Sequence, residues 1–322
     1  MKPLVSILVP AYNAAPYIAE TLDSALAQTW QNIEIVVVDD GSRDDTLAIA
    51  KTYESKRVKV ISQENKGAST ARNRAFKDSQ GEFIQYLDAD DLLAPDKIER
   101  QLKLLEFDRN SDYVASGEWA RFFQNPSEAV FTPQTLWTDM SPIDWLIAAW
   151  EKNLMMHPAA WLVPRNISDS AGMWNEKVSL NDDGEYFCRV ILASQGVKFC
   201  TGAKSYYRSG ISGSLSGSKS RKAWESAFLS VELCTNNLLS VENSDRTRYT
   251  SACYWQYFVF MAYPQAKDLI QNAEKNVRSL GGCDLKPEGG IMFKVMREVL
   301  GWKIAMQLQK LYYRYWYKIH RD

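Results

Sequence analysis

Residues 33–42 read Ile33-Glu34-Ile35-Val36-Val37-Val38-Asp39-Asp40-Gly41-Ser42. Ile33–Val38 is a short β-branched run with little alternation, the pattern of a strand buried on both faces of a sheet. It stops at an acid-glycine turn. Upstream, Leu4–Val9 repeats the pattern, and between the two runs Tyr17–Gln28 carries Ile18, Leu22, Ala25 and Leu26 at helical spacing. Residues 4–42 therefore predict one βαβ unit. Downstream, a helix around Thr46–Lys56, a strand at Val58–Ser62, a helix at Ser69–Asp78 and a strand at Phe83–Leu87 continue the alternation. The fold class this predicts is α/β, a parallel sheet covered by helices. Ligands in such sheets bind beyond the carboxyl ends of the strands, where the chain places Pro10-Ala11-Tyr12-Asn13, Asp39-Asp40-Gly41-Ser42 and Asp88-Ala89-Asp90-Asp91.

From Leu92 to about Arg208 the pattern is mixed and rich in tryptophan, at 119, 137, 145, 150, 161 and 174. Such rings serve as core or stack on sugars, and core is the simpler reading for each. Ser209–Ser220 is rich in glycine and serine and reads as a mobile loop or linker. Beyond it, Ala223–Leu239, Thr250–Tyr263, Ala266–Leu280 and Met292–Ile319 read as helices, with Gly281-Gly282 and Pro287-Glu288-Gly289-Gly290 as breakers.

The 322 residues are 46% hydrophobic and 24% charged, with a net charge of -1, so no global field draws the chain to nucleic acid. Five dispersed cysteines with no C-x-x-C pair suit small buried hydrophobes in a reducing compartment. The apolar start, Leu4–Val9, is too short and β-branched for a signal peptide. Tyr254–Tyr263, the most apolar later stretch, falls short of the roughly 18 residues of a membrane span. A cytoplasmic chain without a transmembrane helix is the expectation.

Asp88, Asp90 and Asp91 at a strand end repel one another and call for a cation, and oxygen ligands suit Mg²⁺ or Mn²⁺ completed by substrate phosphates. The competing reading is a solvated acidic turn that caps the helix starting near Pro95. Asp40 can accept from a nucleobase N–H while Gly41 permits close backbone approach, although the same residues make an ordinary turn. Lys66 and Arg72, near the loop-to-helix start at Asn65–Asn73, supply positive charge toward phosphates.

Taken in order, Val9-Pro10-Ala11-Tyr12-Asn13, the loop Asp40-Gly41-Ser42-x-Asp44-x-Thr46, Lys66-Gly67 with Ala71-Arg72-Asn73, and Tyr86-Leu87-Asp88-Ala89-Asp90-Asp91 resemble family 2 of the inverting glycosyltransferases, which have the GT-A fold. The resemblance covers roughly residues 3–208. It implies a Rossmann-like mixed sheet flanked by helices, a nucleotide-sugar donor, a divalent metal and a single in-line displacement. It also implies a glycosyltransferase domain over 1–215, with a nucleotide-binding half to about 110 and an acceptor half from 111, and a helical extension over 216–322. In this light Tyr12 packs against the base and Asp40 bonds it. Pro10, Lys66, Arg72 and Ala89 line the donor site, Asp90 is the main metal ligand, and Asp88 contacts the metal or the nucleotide sugar. In Asn181-Asp182-Asp183-Gly184-Glu185, Asp183 matches the general base, with Arg189 six residues on. Asp182 stands where the family commonly has Glu, so its role as assistant or helix cap is open. Arg208, before the Gly/Ser segment, approaches the diphosphate or forms an ion pair. His157 is catalytic or a structural imidazole beside the acceptor.

The resemblance favours UDP as the commonest family donor and a carbohydrate or lipid-linked glycan as acceptor, in surface polysaccharide or glycoconjugate synthesis. A sugar-nucleotide pyrophosphorylase would carry a glycine-rich loop, which Leu8–Asn13 lacks, and intact Asp90 and Asp183 argue against a silent binding protein. The tail from Trp302 interleaves Ile304, Leu308, Leu311, Tyr312, Tyr313, Tyr315, Trp316, Tyr317 and Ile319 with Lys303, Lys310, Arg314, Lys318 and Arg321. That pattern suits peripheral attachment to the inner face of a membrane, or packing on the domain or on a second subunit in a homo-oligomer.

Overall fold

A computed structural model describes residues 2–107, 112–211 and 217–319, without the side chains of 106–107 and 313–319. Residues 212–216 of the Gly/Ser segment, Arg321 in the tail, and the side chains of Tyr313, Arg314, Tyr315, Trp316, Tyr317, Lys318 and Ile319 lie outside the described residues. The chain forms two compact units, Met1–Thr247 and Arg248–Asp322.

The first unit opens with β1 (Val5–Ala11), α1 (Ile18–Leu26), β2 (Ile33–Asp39), α2 (Thr46–Thr52), β3 (Val58–Ser62), α3 (Ala68–Lys77) and β4 (Phe83–Tyr86). β3, β2, β1 and β4 lie side by side and parallel. Every residue of β1 is buried, and all of β2 but Glu34, which is why both read as unbroken apolar runs. Ala11 pairs with Asp39, so β1 and β2 end level.

β5 (Leu92–Leu93), α4 (Lys97–Phe107), β6 (Tyr113–Phe122), α5 (Pro142–Glu151), β7 (Val163–Pro164), α6 (Arg165–Ala171), α7 (Asp182–Ala193) and β8 (Gly196–Arg208) follow. β7 closes the first sheet antiparallel to β4, making it mixed. β5, β8 and β6 form a second, three-stranded sheet. Trp119, Trp145, Trp150, Trp161 and Trp174 are buried as core, and Trp137 stacks on Phe199 with ring centroids 5.7 Å apart. α8 (Arg221–Val241), which the sequence reading assigns to the extension, packs along α7 and belongs to the first unit. Ser226 Oγ on α8 accepts the N–H groups of Ser179 (2.7 Å) and Leu180 (2.9 Å), and Ser230 Oγ accepts Asn181 Nδ2 (2.7 Å).

The second unit contains α9 (Asp245–Ala262, which begins just before the boundary), α10 (Lys267–Ser279), α11 (Ile291–Leu300) and α12 (Trp302–Ile319). Trp255, Phe258, Val259, Ile270, Ala273, Phe293 and Ala305 are buried there. The single helix read over Met292–Ile319 is corrected to two, because Gly301 takes φ +79°, outside helical space. All five cysteines are free thiols, and among the described residues no helix is long and apolar enough to cross a membrane.

β6 and β8 pair through a register break at Gly117, where Gly117 faces Cys200 but Glu118 faces Lys204. A Cβ at Gly117 would strike the Ala203 carbonyl, which is backbone and cannot swing away. Gly117→Ala is therefore expected to destabilise the fold by about 1–3 kcal/mol, read as a lower urea midpoint at unchanged m-value.

Candidate functional site

The parallel strands deliver three polar segments to one edge. Tyr12 follows β1 and is 47% exposed, Asp40 and Gly41 follow β2, and Asp88 to Asp91 follow β4. The first two segments are tied together: Ala14 N–H donates to Thr46 Oγ1 (2.7 Å), and Asn13 N–H to Ser42 Oγ (3.0 Å). Pro10 is buried in β1 one residue before its end, and Ala89 is buried between the aspartates.

Asp40 is buried and accepts Gln63 Nε2 (2.7 Å), Lys66 N–H (3.0 Å) and Gly67 N–H (2.8 Å). Its carboxylate thus shapes the loop that starts α3, where Gly67 takes φ +94°, and leaves about one of its four lone-pair sites for a ligand. The Lys66 side chain is exposed.

Arg72, on α3, is the centre of the site. Its Nη2 pairs with Asp88 Oδ1 (2.8 Å) and its Nη1 with Asp182 Oδ2 (2.7 Å), while the guanidinium lies 4.3 Å from the Trp174 ring centroid. The two carboxylates outweigh burial and keep Arg72 firmly charged. One arginine therefore fixes the strand-end acids against the turn that opens α7. That turn is shaped by Asn181 at φ +63° and by Gly184, where any Cβ would collide with the Asn181 side chain. Asp182 Oδ1 accepts Asp183 N–H (3.1 Å), and Asp183 Oδ1 accepts Gly184 N–H (2.8 Å). Burial, then the neighbouring Asp182, push Asp183 up to about 6, against the opposing pull of Arg72. A carboxylate there is poised to exchange a proton near neutral pH.

Burial, then Asp91 and Asp88, push Asp90 up to about 8. Burial also raises Asp91, whose Oδ1 accepts Arg208 N–H (2.8 Å) and whose Oδ2 lies 3.0 Å from His157 Nδ1. His157 is held at its other nitrogen by Ser205 Oγ (2.8 Å), and burial lowers it to about 3, so the ring is neutral. Arg208 reaches the Asp90 carbonyl (2.9 Å) and pairs with Glu20 (2.5 Å). Among the described residues no group of three or more His, Cys, Asp or Glu is arranged to hold a metal ion. The hard oxygen donors of Asp88 and Asp90 still fit Mg²⁺ or Mn²⁺, which leave part of their shell to water and phosphate oxygens.

The structure thus brings Asp88, Asp90, Arg72, Arg208 and the Asp183 turn together, with Tyr12, Asp40 and Lys66 at the same sheet edge. Arg189 is turned elsewhere, bonded by Glu185 (2.7 Å) and the Met173 carbonyl (2.9 Å). Sequence reading missed Glu20, the stacking of Trp174 on Arg72 and the bonds of His157 to Asp91 and Ser205, which arise only through long-range folding.

A family model described as glycosyl transferase family 2 matches residues 6–167. An uncharacterised glycosyltransferase of Rickettsia typhi is 33% identical over 193 residues, 60% of each chain. A putative teichuronic acid biosynthesis glycosyltransferase of Bacillus subtilis is 43% identical over 107 residues, 32% of this chain and 42% of its own. The chain therefore spans less than two thirds of these relatives. Among solved structures, S. aureus TarS 1–349 with UDP-GlcNAc superposes at TM-score 0.62 and 17% identity, over 86% of this chain and 92% of its own. That likeness places the fold with GT-A glycosyltransferases, with a helical C-terminal region.

Removing Arg72 would leave Asp88 and Asp182 without their cation. Arg72→Met is expected to cost about 3–5 kcal/mol in urea unfolding, the scale of a broken buried ion pair. Arg72→Lys, a point charge that cannot fork to both acids, should fall between Met and wild type.

Proposed function

The chain belongs to glycosyl transferase family 2, and on that premise we propose that it transfers a sugar, with inversion, from a nucleoside diphosphate sugar to a hydroxyl of a carbohydrate or lipid-linked glycan. The observation that carries this is the Arg72 bridge, which ties Asp88 at the strand end to Asp182, the neighbour of Asp183, whose carboxyl is raised to about 6. UDP is the favoured nucleotide, supported by the TarS complex with UDP-GlcNAc. A role in surface polysaccharide or glycoconjugate synthesis is supported by the Bacillus relative. A lipid-linked acceptor would bring the enzyme to a membrane surface.

In this reading the exposed Tyr12 ring packs against the base, and Asp40 uses its remaining lone pair for a base N–H. Pro10 and Ala89 line the donor crevice, Lys66 and Arg208 set positive charge beside the diphosphate, Arg208 by exchanging Glu20 for it, and Arg72 positions Asp88 at the crevice. Asp90, with Asp88, would hold Mn²⁺ or Mg²⁺, which when bound neutralises the charge on the departing diphosphate. Asp183 takes the proton of the acceptor hydroxyl, oriented by Asp182 beneath it and by Arg72 beyond.

Incubation with a panel of nucleotide sugars and Mn²⁺, read as released nucleoside diphosphate and glycosylated acceptor, tests the reaction itself. Binding without turnover would make the chain a silent nucleotide-sugar-binding protein. Asp90→Ala is expected to abolish nearly all transfer and weaken nucleoside diphosphate binding in Mn²⁺, and full activity in excess chelator would contradict the metal assignment.

Asp183→Asn should keep donor affinity and lower kcat by about 10²–10⁴. Because Asp183 must be ionised to act, kcat/KM should rise with pH through about 6, and this limb should vanish in the Asn variant. A wild-type profile flat from pH 5 to 7 would return Asp183 to a capping role.

A further inference from the structure

α11 is apolar on two sides. Phe293 points inward and is buried, while Ile291, Met292, Val295 and Val299 fall within one arc of about 100° on the other side at helical spacing. On α12, Ile304 and Leu308 lie about 40° apart and are exposed, while Ala305 beside them is buried. These six outward side chains are between 38% and 86% exposed. Large apolar residues this dense on one face are uncommon on a chain that stays in water alone.

Charge says what covers them. Residues 291–322 hold seven Lys and Arg against two acids, a surplus of five positive charges, on a chain whose total is -1. The preceding 290 residues therefore carry -6. Lys294 and Lys303 project from the two helices with about half of each side chain exposed, on stems long enough to lie along an apolar surface with the ammonium in water. Glu288, the partner of Lys294, is exposed, and Glu274, the partner of Lys303, is half-buried; surface pairs of this kind add little. A second copy docked here would add its own surplus of five positive charges over residues 291–322 to this one's. A bilayer with anionic headgroups offers hydrocarbon for the outward arcs and countercharge for the lysines.

We propose that the second unit binds the surface of an anionic lipid bilayer through the outward faces of α11 and α12. The binding uses no residue of the strand-end site and needs neither donor nor turnover, so it stands or falls separately from the transferase reading.

The test is co-sedimentation of the full chain with phosphatidylcholine vesicles and with vesicles holding equal parts phosphatidylglycerol. Wild type should pellet with the mixed vesicles and bind phosphatidylcholine alone at least tenfold more weakly, with added salt reducing the difference. Val295→Asp combined with Ile304→Asp, both surface changes, should abolish pelleting while leaving the thermal midpoint and the secondary structure intact. Lys294→Glu with Lys303→Glu should weaken binding by roughly fivefold or more per residue. A wild type that stays in the supernatant with both vesicles overturns the proposal. So does equal binding to both, which would remove the anionic requirement, or a wild-type dimer that the double aspartate variant splits, which would make the face a subunit interface.

Discussion

The site depends on one guanidinium. Arg72 leaves solvent almost completely, and a buried cation is tolerated only where its charge is met in full. Asp88 and Asp182 meet it from opposite sides, and the Trp174 ring closes its face. Because the partners come from the end of β4 and the start of α7, the pairing sets the spacing between the acids suited to a metal and the carboxyl suited to a proton. Neither can drift without stranding the arginine.

The first ninety residues were legible because burial on both faces of a parallel sheet leaves a plain signature, an apolar run that stops at a polar turn. Val5–Ala11, Ile33–Asp39 and the acids after Tyr86 stand where that pattern sets them. The chemistry of the individual side chains was less legible. Asp182 looked like a helix cap or a helper, and its salt bridge to a residue 110 positions earlier leaves no local trace. His157 is bonded to Asp91 across 66 positions for the same reason. The extension was misread where a rule of periodicity met a single backbone angle: the apolar spacing runs on through Gly301, but the helix does not. Likewise α8 looked like the start of a separate part, and only the serines that face the 179–181 turn reveal that it supports the first unit.

The polar network differs in character across the site. Beyond β2, Asp40 spends its oxygens on Gln63 Nε2 and on the backbone N–H groups of Lys66 and Gly67, which fixes the main chain of 66–67. On the Asp90 side, the carboxylates are crowded together and raised by burial and mutual repulsion. The first arrangement is nearly satisfied, with about one lone-pair site of Asp40 left over, whereas the second is electrostatically unfinished. This contrast matches a rigid cradle beside a centre that gains most from incoming positive charge.

The turn at Gly301 has a geometric consequence. Residues 291–319 wound as one helix would make a straight rod about 44 Å long, well beyond the roughly 30 Å hydrocarbon thickness of a bilayer. Broken at one glycine, the same residues become two shorter cylinders of about 15 and 27 Å that change direction without losing more than a turn of hydrogen bonding. A rod meets a curved or uneven boundary along a line, but two jointed segments can follow it.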